Sequence, residues 1–75
     1  MKYLVIEIQK MNSGSVSQIV TVHDSREQAE QKYHTVLAYA SVSDCDVHSC
    51  TMLDDTGALI RNESYYHGHE VEEEE

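Results

Sequence analysis

The sequence predicts a small α+β domain: a two-layer ββαββ unit with a four-stranded sheet and one helix on one face. Three observations carry this. Residues 2–9 hold a β-branched, alternating run, residues 25–41 carry a clean 3.6-residue apolar stripe, and Gly-bearing turn clusters join the first run and three further alternating segments into two hairpins. The 75 residues suit one domain, close to the lower size at which a hydrophobic core holds without staples.

In residues 2–9, Leu4, Ile6 and Ile8 alternate with Tyr3, Val5 and Glu7. The face with three aliphatics is the expected core face. Met11-Asn12-Ser13-Gly14-Ser15 forms a turn, with Gly14 available for positive φ. A second strand over 16–23 follows with Val16, Val20 and Val22 in phase, which completes a hairpin.

The helix start reads from Asp24-Ser25-Arg26-Glu27-Gln28. Asp24 or Ser25 can cap an orphan N–H, with Glu27 or Gln28 three residues on. Ala29, Tyr33, Val36, Leu37 and Ala40 then fall on one stripe, with Arg26, Glu30, Gln31 and Lys32 mainly off it. Leu37 is expected to anchor the helix on the Leu4/Ile6/Ile8 face.

Ser41 to Asp44 breaks the helix. A third strand over 45–53 puts Cys45, Val47, Ser49, Thr51 and Leu53 on one face, and Asp46, His48, Cys50 and Met52 on the other. Asp54-Asp55-Thr56-Gly57 turns the chain into a fourth strand reaching about Tyr65. The domain is expected to span residues 1–66. Residues 67–75 hold five of the fourteen acids and neither Lys nor Arg, and read as a disordered acidic tail.

Net charge is −9, of which residues 1–66 carry only four excess negatives. That sign opposes phosphate neutralisation and attraction to anionic lipid, so neither nucleic acid nor membrane is an expected partner. The run Met1 to Ile8 is too short for a signal h-region or a span, and the expected compartment is the cytoplasm. Cys45 and Cys50 fit a reducing environment: on one extended strand they stand about 16–17 Å apart, beyond disulfide reach.

Several motifs suggest chemistry, and each has a plainer explanation. Asp55-Thr56-Gly57-Ala58 matches the tetrapeptide around the catalytic aspartate of aspartic proteases, but it sits where a hairpin needs a turn, and Asp55 is assigned to that turn. Cys45, Asp46, His48 and Cys50 hint at zinc, but alternation puts Cys45 opposite His48 and Cys50, so they do not converge on a tetrahedron. His67, His69 and Glu70 lie in the acidic segment without a second shell to orient them. Asn62-Glu63-Ser64 fits a glycosylation sequon with no secretion signal beside it. No catalytic, metal or cofactor-binding residue is therefore assigned, and no enzyme activity is expected.

With these elements placed, the chain resembles small uncharacterised proteins of Gram-positive bacterial phages and prophages. Ala29-Glu30-Gln31-Lys32-Tyr33-His34 leading into Val36-Leu37-Ala38 carries most of the likeness, which covers residues 2–66. The resemblance implies an accessory protein acting by binding and transfers no residue role.

A helix on one sheet face leaves the other open. Tyr3, Val5, His48 and Met52 are the expected interface there, serving a protein partner and a homodimer. The alternative function is an acidic nucleic-acid mimic that blocks a host DNA- or RNA-binding protein, using Asp44, Asp46, Asp54 and Asp55 as its patch.

Overall fold

The computed structural model describes residues 1–67. The expected tail, 67–75, lies outside the described residues apart from His67. Elements run β1 (Tyr3–Lys10), β2 (Val16–His23), α1 (Arg26–Ala40), β3 (Val47–Asp54) and β4 (Leu59–Tyr66). The ββαββ architecture is as expected, four antiparallel strands in one open sheet with one helix across it.

Sheet order is β2-β1-β3-β4, so the strands flanking the helix in sequence sit apart and the hairpins meet along β1 and β3. Both hairpin turns use a glycine in the left-handed region, Gly14 at φ +95° and Gly57 at φ +91°. In the second turn the organising side chain is Asp54 and not Asp55. Its Oδ1 accepts from Thr56 N–H at 2.9 Å, Thr56 Oγ1–H at 2.6 Å and Ala58 N–H at 3.0 Å. The Thr56 hydroxyl first, then these backbone donors, hold the Asp54 carboxyl below its ordinary range.

Helix α1 begins at Ser25, whose extended backbone (φ −132°) and hydroxyl, accepting from Gln28 N–H at 3.2 Å, make the N-cap. Its last turn carries no basic residue. His67 supplies a donor there instead: its Nε2 lies 2.9 Å from the Ala40 carbonyl and its backbone N–H donates to Asp46 O at 2.7 Å. His67 thus belongs to the body, one residue past the expected boundary.

The expected helix stripe is the buried stripe: Ala29, Tyr33, Val36, Leu37 and Ala40. The sheet face beneath it is the opposite of the one expected. Across β1 and β3, Val5 pairs with Met52, Glu7 with Cys50 and Gln9 with His48, and these odd positions of β1 face the helix. Leu37 therefore joins a core of Val5, Cys50, Met52, Ala29, Tyr33 and Val36, and not the Leu4/Ile6/Ile8 face. Size explains the choice. Cys50 is small enough to leave room for the fully buried Tyr33 ring, whereas Leu4, Ile6, Ile8 and Leu53 would present a uniformly bulky surface.

Candidate functional site

Burial relocates the expected interface. Val5 at 1%, His48 at 3% and Met52 at 0% exposure lie beneath α1, and Tyr3 is half-buried at the edge of the same cluster. None of the four lines an open surface. Their alternation was right, but the helix covers their side of the sheet.

Three polar side chains of this buried face bond to one another around Glu7, while His48 Nδ1 has no partner among the described residues. Glu7 Oε2 lies 2.6 Å from His48 Nε2 and accepts from Gln9 Nε2 at 2.9 Å. Burial pushes the Glu7 carboxyl up, but the bonds from Gln9 and His48 and the charges of His48 and Lys32 outweigh it, so the net direction is down. Beside them Cys50 is fully buried, and desolvation first, then the Glu7 charge, pushes its thiol up to about 11. Cysteine, histidine and carboxylate thus share one locality, but the thiol is driven away from the thiolate that nucleophilic chemistry needs. This trio is core packing around an internal hydrogen bond.

Zinc-type convergence fails on geometry as well. Cys45 precedes β3, and its Sγ sits 3.9 Å from Gln9 Oε1 and 3.6 Å from Met11 Sδ. Among the described residues no three His, Cys, Asp or Glu side chains gather as a metal site. His69 and Glu70 lie outside the described residues. A shallow open groove of about 340 Å³ runs beside α1, lined by His23, Gln28, Gln31, Lys32 and Thr35.

The four acids expected to form one patch are divided. Asp44 and Asp46 precede β3, Asp54 ends it and Asp55 follows, so a strand length of about 23 Å separates the pairs. Asp54 is occupied by its turn, and Asp55 Oδ2 accepts from Lys2 N–H at 2.8 Å.

What the molecule leaves open is the other sheet face. Register places Leu4, Ile6 and Ile8 of β1 beside Val22, Val20 and Gln18 of β2, and beside Leu53, Thr51 and Ser49 of β3. Leu59, Asn62, Ser64 and Tyr66 complete it from β4, where a register shift after Met52 lets Ile60 turn under the helix. Val16, Val20, Val22, Leu59 and Tyr66 are all at least half exposed. One row across the sheet, Val22–Leu4–Leu53–Leu59, is aliphatic throughout, and the next, Val20–Ile6–Thr51–Asn62, ends in an Asn62 Nδ2 to Thr51 Oγ1 bond of 2.6 Å.

Charge sorts between the faces just as sharply. Within the strands Glu7, Asp54, Arg61 and Glu63 take helix-side positions, and Arg61 reaches Glu30 of α1 at 3.7 Å. The strands place a single charged residue on the open face, Lys10 at the end of inner strand β1. The signal for this was in the sequence: Val20, Val22 and Leu53 share phase with Leu4 and Ile6 once the strands pair. No helix in the described residues is long and apolar enough to cross a membrane. Comparison with protein-family models, curated proteins and solved structures gives no match.

Proposed function

We propose that this protein is a small non-catalytic binding or assembly module that works through its uncovered sheet face, in the manner of a phage accessory protein. The observation that carries the reading is the sorting of the molecule's side chains. Four bulky aliphatics of its two central strands, Leu4, Ile6, Ile8 and Leu53, lie on the face the helix leaves open, and every strand acid lies on the other side. A monomeric soluble chain gains nothing from that distribution, whereas apolar side chains, freed of charge and gathered on a rigid sheet, recover about 25 cal/mol per Å² when a partner excludes water. Direct contact with nucleic acid is disfavoured by the same net charge of −9.

The test is affinity capture from bacterial lysate with the wild-type chain and with Val20→Lys, at low and high salt. Val20 is half exposed, so the substitution leaves the helix-side core alone. The variant should keep its circular dichroism and lose the captured protein, and wild-type capture should survive high salt. Equal capture by Val20→Lys, or release of the partner by salt, would refute an apolar interface on this face.

A further inference from the structure

We infer that the occupant of the open face is a second copy of this chain, stacked sheet against sheet about a two-fold axis to give a four-layer α/β/β/α dimer. The inference rests on the proposed use of this face for binding and commits that use to one partner.

Charge is the first argument. Residues 1–66 of each copy carry four excess negatives, and the approach that keeps the acids of their strands apart is through the face whose only charged strand residue is Lys10, at the end of inner strand β1. Stacked sheets lie about 10 Å apart, and the strand acids Glu7, Asp54 and Glu63 would then lie on the far side of each sheet, beyond the roughly 8 Å Debye length of physiological salt. A basic partner would find no acid on this surface, since every strand acid takes a helix-side position.

Area is the second. Four strands of eight residues present a face of roughly 19 Å by 26 Å, a flat footprint of about 500 Å² per copy. That is of the order of the roughly 800 Å² each partner buries in a standard stable interface.

Core size is the third. The buried apolar set among the described residues is only Val5, Tyr33, Val36, Leu37, Met52 and the three small residues Ala29, Ala40 and Cys50, which is thin for an independent domain. A two-fold interface sets the same patch of both copies against each other, so Leu4, Ile6, Ile8 and Leu53 of one copy face the matching aliphatic surface of the other. The sheets then pack aligned in the manner of a β-sandwich, and a second core forms between them.

The experiment is sedimentation velocity on the full chain from about 1 µM to about 200 µM, a range that covers standard-size interfaces. Wild type, Val20→Lys, and Ile19→Lys as a same-strand control are compared. Ile19 is similarly exposed but sits on the helix side of β2. Wild type and Ile19→Lys should dimerise in this range, while Val20→Lys, with two lysines desolvated per dimer, should weaken association by more than about 100-fold. A wild-type monomer throughout overturns the second copy; if Val20→Lys still abolishes capture of another protein, the binding reading survives that failure. A dimer dissolved by Ile19→Lys and indifferent to Val20→Lys overturns the stacked face and puts self-association on the other side.

Discussion

Tyr33→Phe should stabilise the protein. Tyr33 is 1% exposed, and its hydroxyl is buried with no hydrogen-bond partner among the described residues. Burial also pushes its phenol pKa up, with the Glu63 charge adding to the effect. A hydroxyl stripped of water and left unpaired costs about 1–3 kcal/mol. Removing it leaves the ring contacts with Val5, Cys50 and Met52 in place and opens a void of roughly 10–15 Å³, which costs only about 0.3 kcal/mol at about 24 cal/mol per Å³. The expected net gain is about 1–2 kcal/mol, and at this chain length each kcal/mol moves the melting temperature by roughly 4–8 °C. Thermal unfolding followed by circular dichroism reads the shift directly. Both proteins must be measured at one concentration, because association would couple Tm to it. A lower Tm for Tyr33→Phe would show that the hydroxyl makes a bond worth keeping, and the argument from an orphaned group would be refuted.

Three further outcomes are expected. Leu37→Ala should cost about 2–5 kcal/mol, measured by urea unfolding, because Leu37 closes the helix-side core; a near-neutral change would place it outside that core. Alkylation under native conditions should label Cys45 and spare Cys50, whose buried thiol is pushed up to about 11, until the chain unfolds; equal labelling rates would show that Cys50 is accessible. The Glu7 carboxyl is held below its ordinary 4.5 when folded, so its contribution is complete above about that pH and is lost as pH falls through the folded value. Glu7→Gln should therefore flatten the acid limb of the stability curve, and an unchanged limb would mean that other carboxylates govern it.

The helix was legible in the sequence because its signals agree. The Ala29–Ala40 stripe has one period, Ser25 offers a cap, and the polar residues fall off the stripe, so local and tertiary preferences point the same way. The turns were legible for a similar reason, although the Asp54–Asp55 pair hid which acid does the bonding. Only geometry shows Asp54 Oδ1 reaching forward to Thr56 and Ala58. Strand order was not legible, since β1 could have paired with β4 and satisfied the same alternation. The acidic stretch failed differently: nearness in sequence suggested one patch, and an extended strand carried its two halves to opposite ends of the sheet.

The face assignment went wrong for a reason that bears on function. Counting aliphatics on β1 favours Leu4, Ile6 and Ile8 over Tyr3, Val5 and Glu7, and a charged Glu7 is expected outside. That rule holds when a strand has one buried face. Here Glu7 is acceptable inside because His48 and Gln9 bond to it, and the signal was available as three polar residues of complementary chemistry in one phase on facing strands. Once the inward face is fixed by that pair and by the room Cys50 leaves for Tyr33, the three aliphatics have to be explained on their own. Strands that are apolar on both sides are what a sheet needs when both of its faces end in contact, one with a helix and one with something else. The alternation that misled the assignment of the core is therefore itself evidence for association, because an outward face selected only for water would have carried some of the acids that β1, β3 and β4 place on the helix side.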